Sequence, residues 1–179
     1  TPLLQYDEVK KLYGEMHHYL IQIQQRKIGA KQHERLQQLV VALRNGMYAA
    51  KNIKDAMPDI HQLGNSSNDI KYEFYLRIRK HTLNFLNAVH TLLMNAHSDN
   101  RFQSLQQLLK TVQSEYADAI QTLYREGISH KLTETEISTL FNFNREMITA
   151  CKSVVYALKD FLLNAEEANY FDELPGFIR

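Results

Sequence analysis

Six glycines and three prolines are all that this chain of 179 residues contains. Average usage would put the two together at about 12% of a chain, so turn-forming residues are present at under half their usual share. A sandwich or barrel needs a turn every ~8–12 residues. That demand cannot be met, and an all-β fold is excluded. No β-branched runs alternate with helical stretches, which argues against an α/β fold. The remaining class is all-α, an elongated antiparallel bundle of about five long helices. The length corresponds to a single domain, residues 1–179, with enough chain to bury a core without disulfides or a structural metal.

Apolar residues recur at helical spacing in five stretches. The first runs from about Leu3 to Ile28, with Val9, Leu12, Met16, Leu20 and Ile23 on one stripe, and is broken by Gly29. The second runs from about Lys31 to Leu63, with a stripe from Leu36 to Ile60 and Pro58 inside it, where a kink is expected. The Gly64–Asn68 turn ends it. The third runs from about Asp69 to Ala96, and the fourth to about Glu126, closed by Gly127. Thr133 and Glu136 have the spacing of a capping box and open the fifth, which runs to about Asn164. A short aromatic tail follows, with Pro175-Gly176 between Phe171 and Phe177.

Lys and Arg total 21 against 20 Asp and Glu, a net charge of +1. Nucleic-acid binders carry a clear basic excess, so nucleic acid is not an expected partner. The single Cys151 cannot form an internal disulfide. It lies on the apolar stripe, where a free cysteine acts as a small hydrophobe. No run reaches 18 apolar residues, so no bilayer span is expected. The chain opens Thr1-Pro2, without an initiator Met or a signal peptide, and reads as a piece of a longer protein.

The second and fifth helices are related by a shift of 101 residues. Arg44, Ala49 and Lys51 fall on Arg145, Ala150 and Lys152, and Leu39, Met47 and Ala50 fall on Leu140, Ile148 and Cys151. The first and fourth helices match at a shift of 100, with Glu15 on Glu115 and Leu20 on Ile120. The identities at charged positions are not demanded by amphipathic period alone. They predict an internal repeat of three helices, in which the third helix opens the second unit and its own counterpart would precede Thr1. The first-second hairpin is then left uncovered. The chain made alone is expected to self-associate through that hairpin, or to cover it with its tail residues Phe171, Leu174, Phe177 and Ile178.

The block Arg44-Asn45-Gly46-Met47-Tyr48-Ala49-Ala50-Lys51-Asn52-Ile53-Lys54-Asp55, followed by Asn65-Ser66-Ser67-Asn68-Asp69-Ile70, resembles the PhoU-like helical domain. It is most similar to the version fused behind the membrane part of bacterial sodium/phosphate cotransporters. The resemblance covers roughly residues 10 to 163. It implies a soluble regulatory module on the cytoplasmic face of the bacterial inner membrane, tied to sodium-dependent phosphate transport. It implies the membrane portion of the same transporter as partner, with homo-oligomers as a further partner. PhoU proteins carry paired acidic motifs that hold metal clusters. The matching positions here are Arg44 with Tyr48 and Arg145 with Thr149, which cannot replace hard oxygen ligands.

Arg44, Tyr48, Lys51, Asp55 and Asp59 follow one another at spacings of three and four on one flank of the second helix, and Arg145 and Lys152 occupy the equivalent flank of the fifth. One reading is a paired basic surface that grips an acidic partner or an anion. The other is a solvated flank with ordinary i,i+4 pairs such as Lys51 with Asp55. A metal-binding bundle is the alternative, with Asp55 and Asp59 as one carboxylate pair. Asp69 and Glu73 are another such pair, and either could hold a divalent cation; separately, Glu15-x-x-His18 is half of a di-iron signature, with the acidic Glu115-x-x-Asp118 as its repeat partner. A free-standing adaptor in phosphate homeostasis, binding a partner through the basic flank, is a further alternative. No nucleophile with an accompanying base and no phosphate-binding loop occurs, so no enzymatic activity, cofactor or small-molecule substrate is expected.

Overall fold

A computed structural model describes residues 2–95, 99–126 and 132–174. Within them the chain forms six helices in order: α1 (Pro2–Gln24), α2 (Ala30–Gly64), α3 (Asp69–Met94), α4 (Arg101–Glu126), α5 (Glu134–Leu162) and α6 (Ala165–Asp172). The five long helices stand where their apolar periods place them, and there is no strand among the described residues. The sixth helix corrects the expected count of five. Leu163 is extended (ψ 154°) and stops α5, and Asn164 starts α6 by accepting a bond from the Glu167 N–H (2.8 Å). Residues beyond Asn164 were expected to be a tail, yet Asn164-x-x-Glu167 is itself a cap-and-return pair.

Local chemistry fixes the other ends. The Gly29 N–H donates to Gln32 Oε1 (2.7 Å) at the start of α2. Asn68 Oδ1 accepts from the Lys71 N–H at the start of α3. Thr133 and Glu136 form the expected capping box, with Thr133 N–H to Glu136 Oε2 at 2.8 Å and Glu136 N–H to Thr133 Oγ1 at 3.2 Å. α1 stops at Gln24, four residues short of the expected Ile28, and α2 continues through Pro58. Gly127, His97, His130 and the Pro175–Ile178 segment lie outside the described residues.

α2 and α5 form the spine and run antiparallel. At one end the Arg35 guanidinium donates to the carbonyls of Asp160 (2.9 Å) and Phe161 (2.6 Å), satisfying part of the open last turn of α5. At the other end Ala56 and Leu63 pack with Leu140, Phe143 and Met147. α1 lies along α2, α4 lies along α5, and α3 covers α4, α5 and α2. The core is built on this second side, in two clusters. One joins Phe74 and Ile78 of α3 to Leu123, Leu140 and Phe143. The other joins Phe85, Leu105, Leu109 and Val155 to Phe171 of α6. Phe171 is fully buried with its ring 5.7 Å from that of Phe102, edge on. The described part of the tail packs on α4 and α5 and touches α2, and the apolar stripe of α1 stays exposed. No described side chain of α1 is buried.

Candidate functional site

Two open grooves mark the described surface: one of about 910 Å³ between α3 and α4, lined largely by Asn, Gln, Ser and Thr side chains, and a more apolar one of about 560 Å³ between α1, α2 and α5. Its α1 wall is Val9, Leu12, Met16 and Leu20. Its floor is Leu39, Ala42, Leu43 and Gly46 of α2, and Leu158 and Phe161 of α5 close the far side. Leu12 is 55% exposed and Phe161 52%, although both lie on apolar stripes. Residues of this kind are normally the first to leave water. A Cβ placed on Gly46 would meet nothing within 4 Å, so the floor is open above the backbone.

On the other side of the spine the residues at matching sequence shifts are covered by α3. There Ile78, His81 and Phe85 of α3 pack around Val112, Tyr116, Asn144 and Met147, leaving a gap of only about 30 Å³. At shifts of 100 and 101 those four residues correspond to Leu12, Met16, Leu43 and Gly46, all of which line the open groove. Ala49 and Ala150, another equivalent pair, are both buried.

The flank residues picked out by spacing are dispersed. Arg44 and Tyr48 are exposed, and Lys51 is exposed and donates to Asp55 (3.1 Å). This pair raises the Lys51 pKa and holds the Asp55 carboxyl below its ordinary range. Lys54 stands over the Tyr6 ring at 5.3 Å and ties α1 to α2. Arg145 is exposed and Lys152 half-buried on α5. Glu146 beside Arg145 feels Asp59 and Asp55, which places Arg145 level with those residues. Because α2 and α5 run antiparallel, Arg44 then lies about ten residues, or ~15 Å, further along the bundle. The two arginines are therefore offset along the bundle and do not stand side by side.

The carboxylate pairs are not assembled into a ligand set. Glu15 and His18 are exposed on α1, while Glu115 and Asp118 are on α4, which packs on α3 and α5. Among the described residues no three His, Cys, Asp or Glu side chains converge as metal ligands. Glu115 is half-buried with its Oε2 4.0 Å from His81 Nδ1, too far for a hydrogen bond. Burial pushes its carboxyl up, and His81 opposes this. Glu146 is likewise pushed up, by burial first and then by Asp59. Burial pushes the Cys151 thiol up to about 12, so it remains protonated and is not a nucleophile at neutral pH.

Two polar features were not visible in the spacing. Lys159 is buried, with its ammonium 2.7 Å from Asp172 and 3.2 Å from Asp160. Arg35 caps α5 as described above. Both depend on which helix ends meet in space, and the only local hint was the adjacent Lys159-Asp160 pair on an otherwise apolar turn. Compared with models of protein families, with curated proteins and with solved structures, the chain matches none.

Proposed function

We propose that this chain is a helical interaction and regulatory domain, PhoU-like in kind, that acts by taking a helix into the α1–α2–α5 groove. The observation that carries this reading is the groove itself. It is long, open and lined almost wholly by apolar side chains. An amphipathic helix lays its apolar face into a trough of this kind, whereas small-molecule sites add converging polar groups. The resemblance of residues 44–55 supplies the wider setting, a regulatory domain of a sodium-dependent phosphate transporter on the cytoplasmic face of the bacterial inner membrane. No helix among the described residues is long and apolar enough to cross a membrane. The partner is then the transporter's membrane portion. Docking regulates transport only if the docked helix is differently available in the transporter's different states.

The setting is tested by deleting the coding segment of this domain in its native gene and following phosphate uptake by the cells. The expected result is sodium-dependent uptake with altered dependence on external phosphate. Uptake identical to that of the parent strain would overturn the transporter setting.

A further inference from the structure

We infer that the groove's occupant is an amphipathic helix of the partner, with a cationic flank, running antiparallel to α1. This rests on the reading of the groove as an interaction face and not on the transport setting. The template is α3. It occupies the corresponding place on the other side and runs antiparallel to α4, as Arg77 bonded to Thr122 (3.2 Å) and His81 facing Glu115 require. α4 is the repeat equivalent of α1, so a helix in the groove meets α1 in the same sense. The groove floor carries smaller side chains than the α3 site, Gly46 where that site has Met147 and Ala42 where it has Phe143. The groove thus has room for every apolar side chain that α3 presents.

The charge comes from the rim. On α1 the exposed Leu12, Met16 and Tyr19 are flanked by Glu8 and Glu15 on the same edge. Glu15 has only a marginal contact with Lys11 at 4.0 Å, with both side chains well exposed. Its equivalent, Glu115, is met by His81 of α3. α3 itself is cationic, carrying Lys71, Arg77, Arg79, Lys80 and His81 against Asp69 and Glu73. A second copy is a poor fit by the same reasoning. In a two-fold antiparallel pair of α1 helices like flanks meet, which sets the Glu8 and Glu15 edges against each other, and like charges at close range cost energy.

The test uses the full chain and a fluorescent synthetic peptide with the α3 sequence, Asp69–Met94, followed by anisotropy. The expected result is saturable one-to-one binding. Gly46→Phe, which fills open space, and Glu15→Lys, which lies on an exposed edge, should each weaken it by about tenfold or more. A peptide carrying His81→Glu should recover affinity for the Glu15→Lys protein, a rescue that nonspecific adhesion does not produce. Absence of binding overturns the inference. Binding indifferent to both substitutions also overturns it, because the peptide would then be exchanging with the chain's own α3. Self-association of the unmodified protein that Gly46→Phe abolishes would give the groove to a second copy, and would overturn the inference while leaving the groove an interaction face. None of these outcomes bears on the uptake experiment, so the two readings fail separately.

Discussion

The two sides of the α2–α5 spine share a sequence pattern and differ in what covers them. On one side α3 closes over α4 and α5, and Phe143, Leu140 and Leu123 are 1% exposed or less. On the other side α1 lies along α2, and Leu12, Met16 and Phe161 stay exposed over the buried Ala42. The difference teaches that an amphipathic period fixes a helix and its apolar face, but not what will bury that face. Burial is worth about 25 cal/mol per Å², so an uncovered stripe of this length amounts to stabilisation that a partner helix would supply.

The comparison breaks most directly by truncating side chains on its two sides. Phe143→Ala should cost about 3–5 kcal/mol, whereas Leu12→Ala, on the exposed stripe, should stay within about 0.5 kcal/mol. Urea denaturation of both variants measures this, and equal losses would mean that the groove is not open. Lys159→Met should also be severe, at about 3–5 kcal/mol, because it leaves the buried Asp160 and the half-buried Asp172 without their cation. Burial already raises the Asp160 pKa against the pull of Lys159. The folded chain thus holds that proton more tightly than the unfolded chain does. Asp160 therefore favours the fold below the ordinary carboxylate range, and that preference is lost as pH rises through its raised value. The deficit of Lys159→Met should accordingly shrink as the pH is lowered from neutral.

A smaller effect of opposite sign sharpens the contrast. Gly46 is mid-helix with nothing near its missing Cβ, so Gly46→Ala should raise stability by about 1 kcal/mol. A destabilised Gly46→Ala variant would mean that the groove floor is already covered. The smallest expected effect is at the Lys71–Glu136 pair on the closed side. Lys71 first, and then the Thr133 N–H, hold the Glu136 carboxyl below its usual range. Its contribution is present above the ordinary glutamate value and lost as pH falls through the lowered one. Glu136→Gln should flatten that acid-side dependence in thermal melts.

Much of this is legible in the amino-acid sequence alone. The long stripes of α2 and α5 placed those helices to within two residues, and Thr133 with Glu136 announced the start of α5 because a cap is local chemistry. α6 was missed because its signal, Asn164 with Glu167, spans the expected end of α5 and the start of a stretch read as a tail. An uncovered α1–α2 hairpin was expected from the spacing match at shifts of 100 and 101, and α1 does carry exposed apolar side chains. What covers a face was not legible. Phe171 is as apolar as Leu12, and only the turn at Leu163 sends it onto Phe102 and not onto α1. The burial of Lys159 and the capping role of Arg35 were hidden for the same reason, since both arise where distant helix ends meet.

The central claim is that α1 is held on one face only and is completed by a helix from outside. Native-state hydrogen exchange read by mass spectrometry tests it in one experiment on the unmodified chain. Protection follows the free energy of local opening. The account predicts that amides of α1 exchange far faster than those of α4 and α5, and that adding the α3-sequence peptide slows α1 selectively. An α1 as protected as α4 without any addition would contradict it.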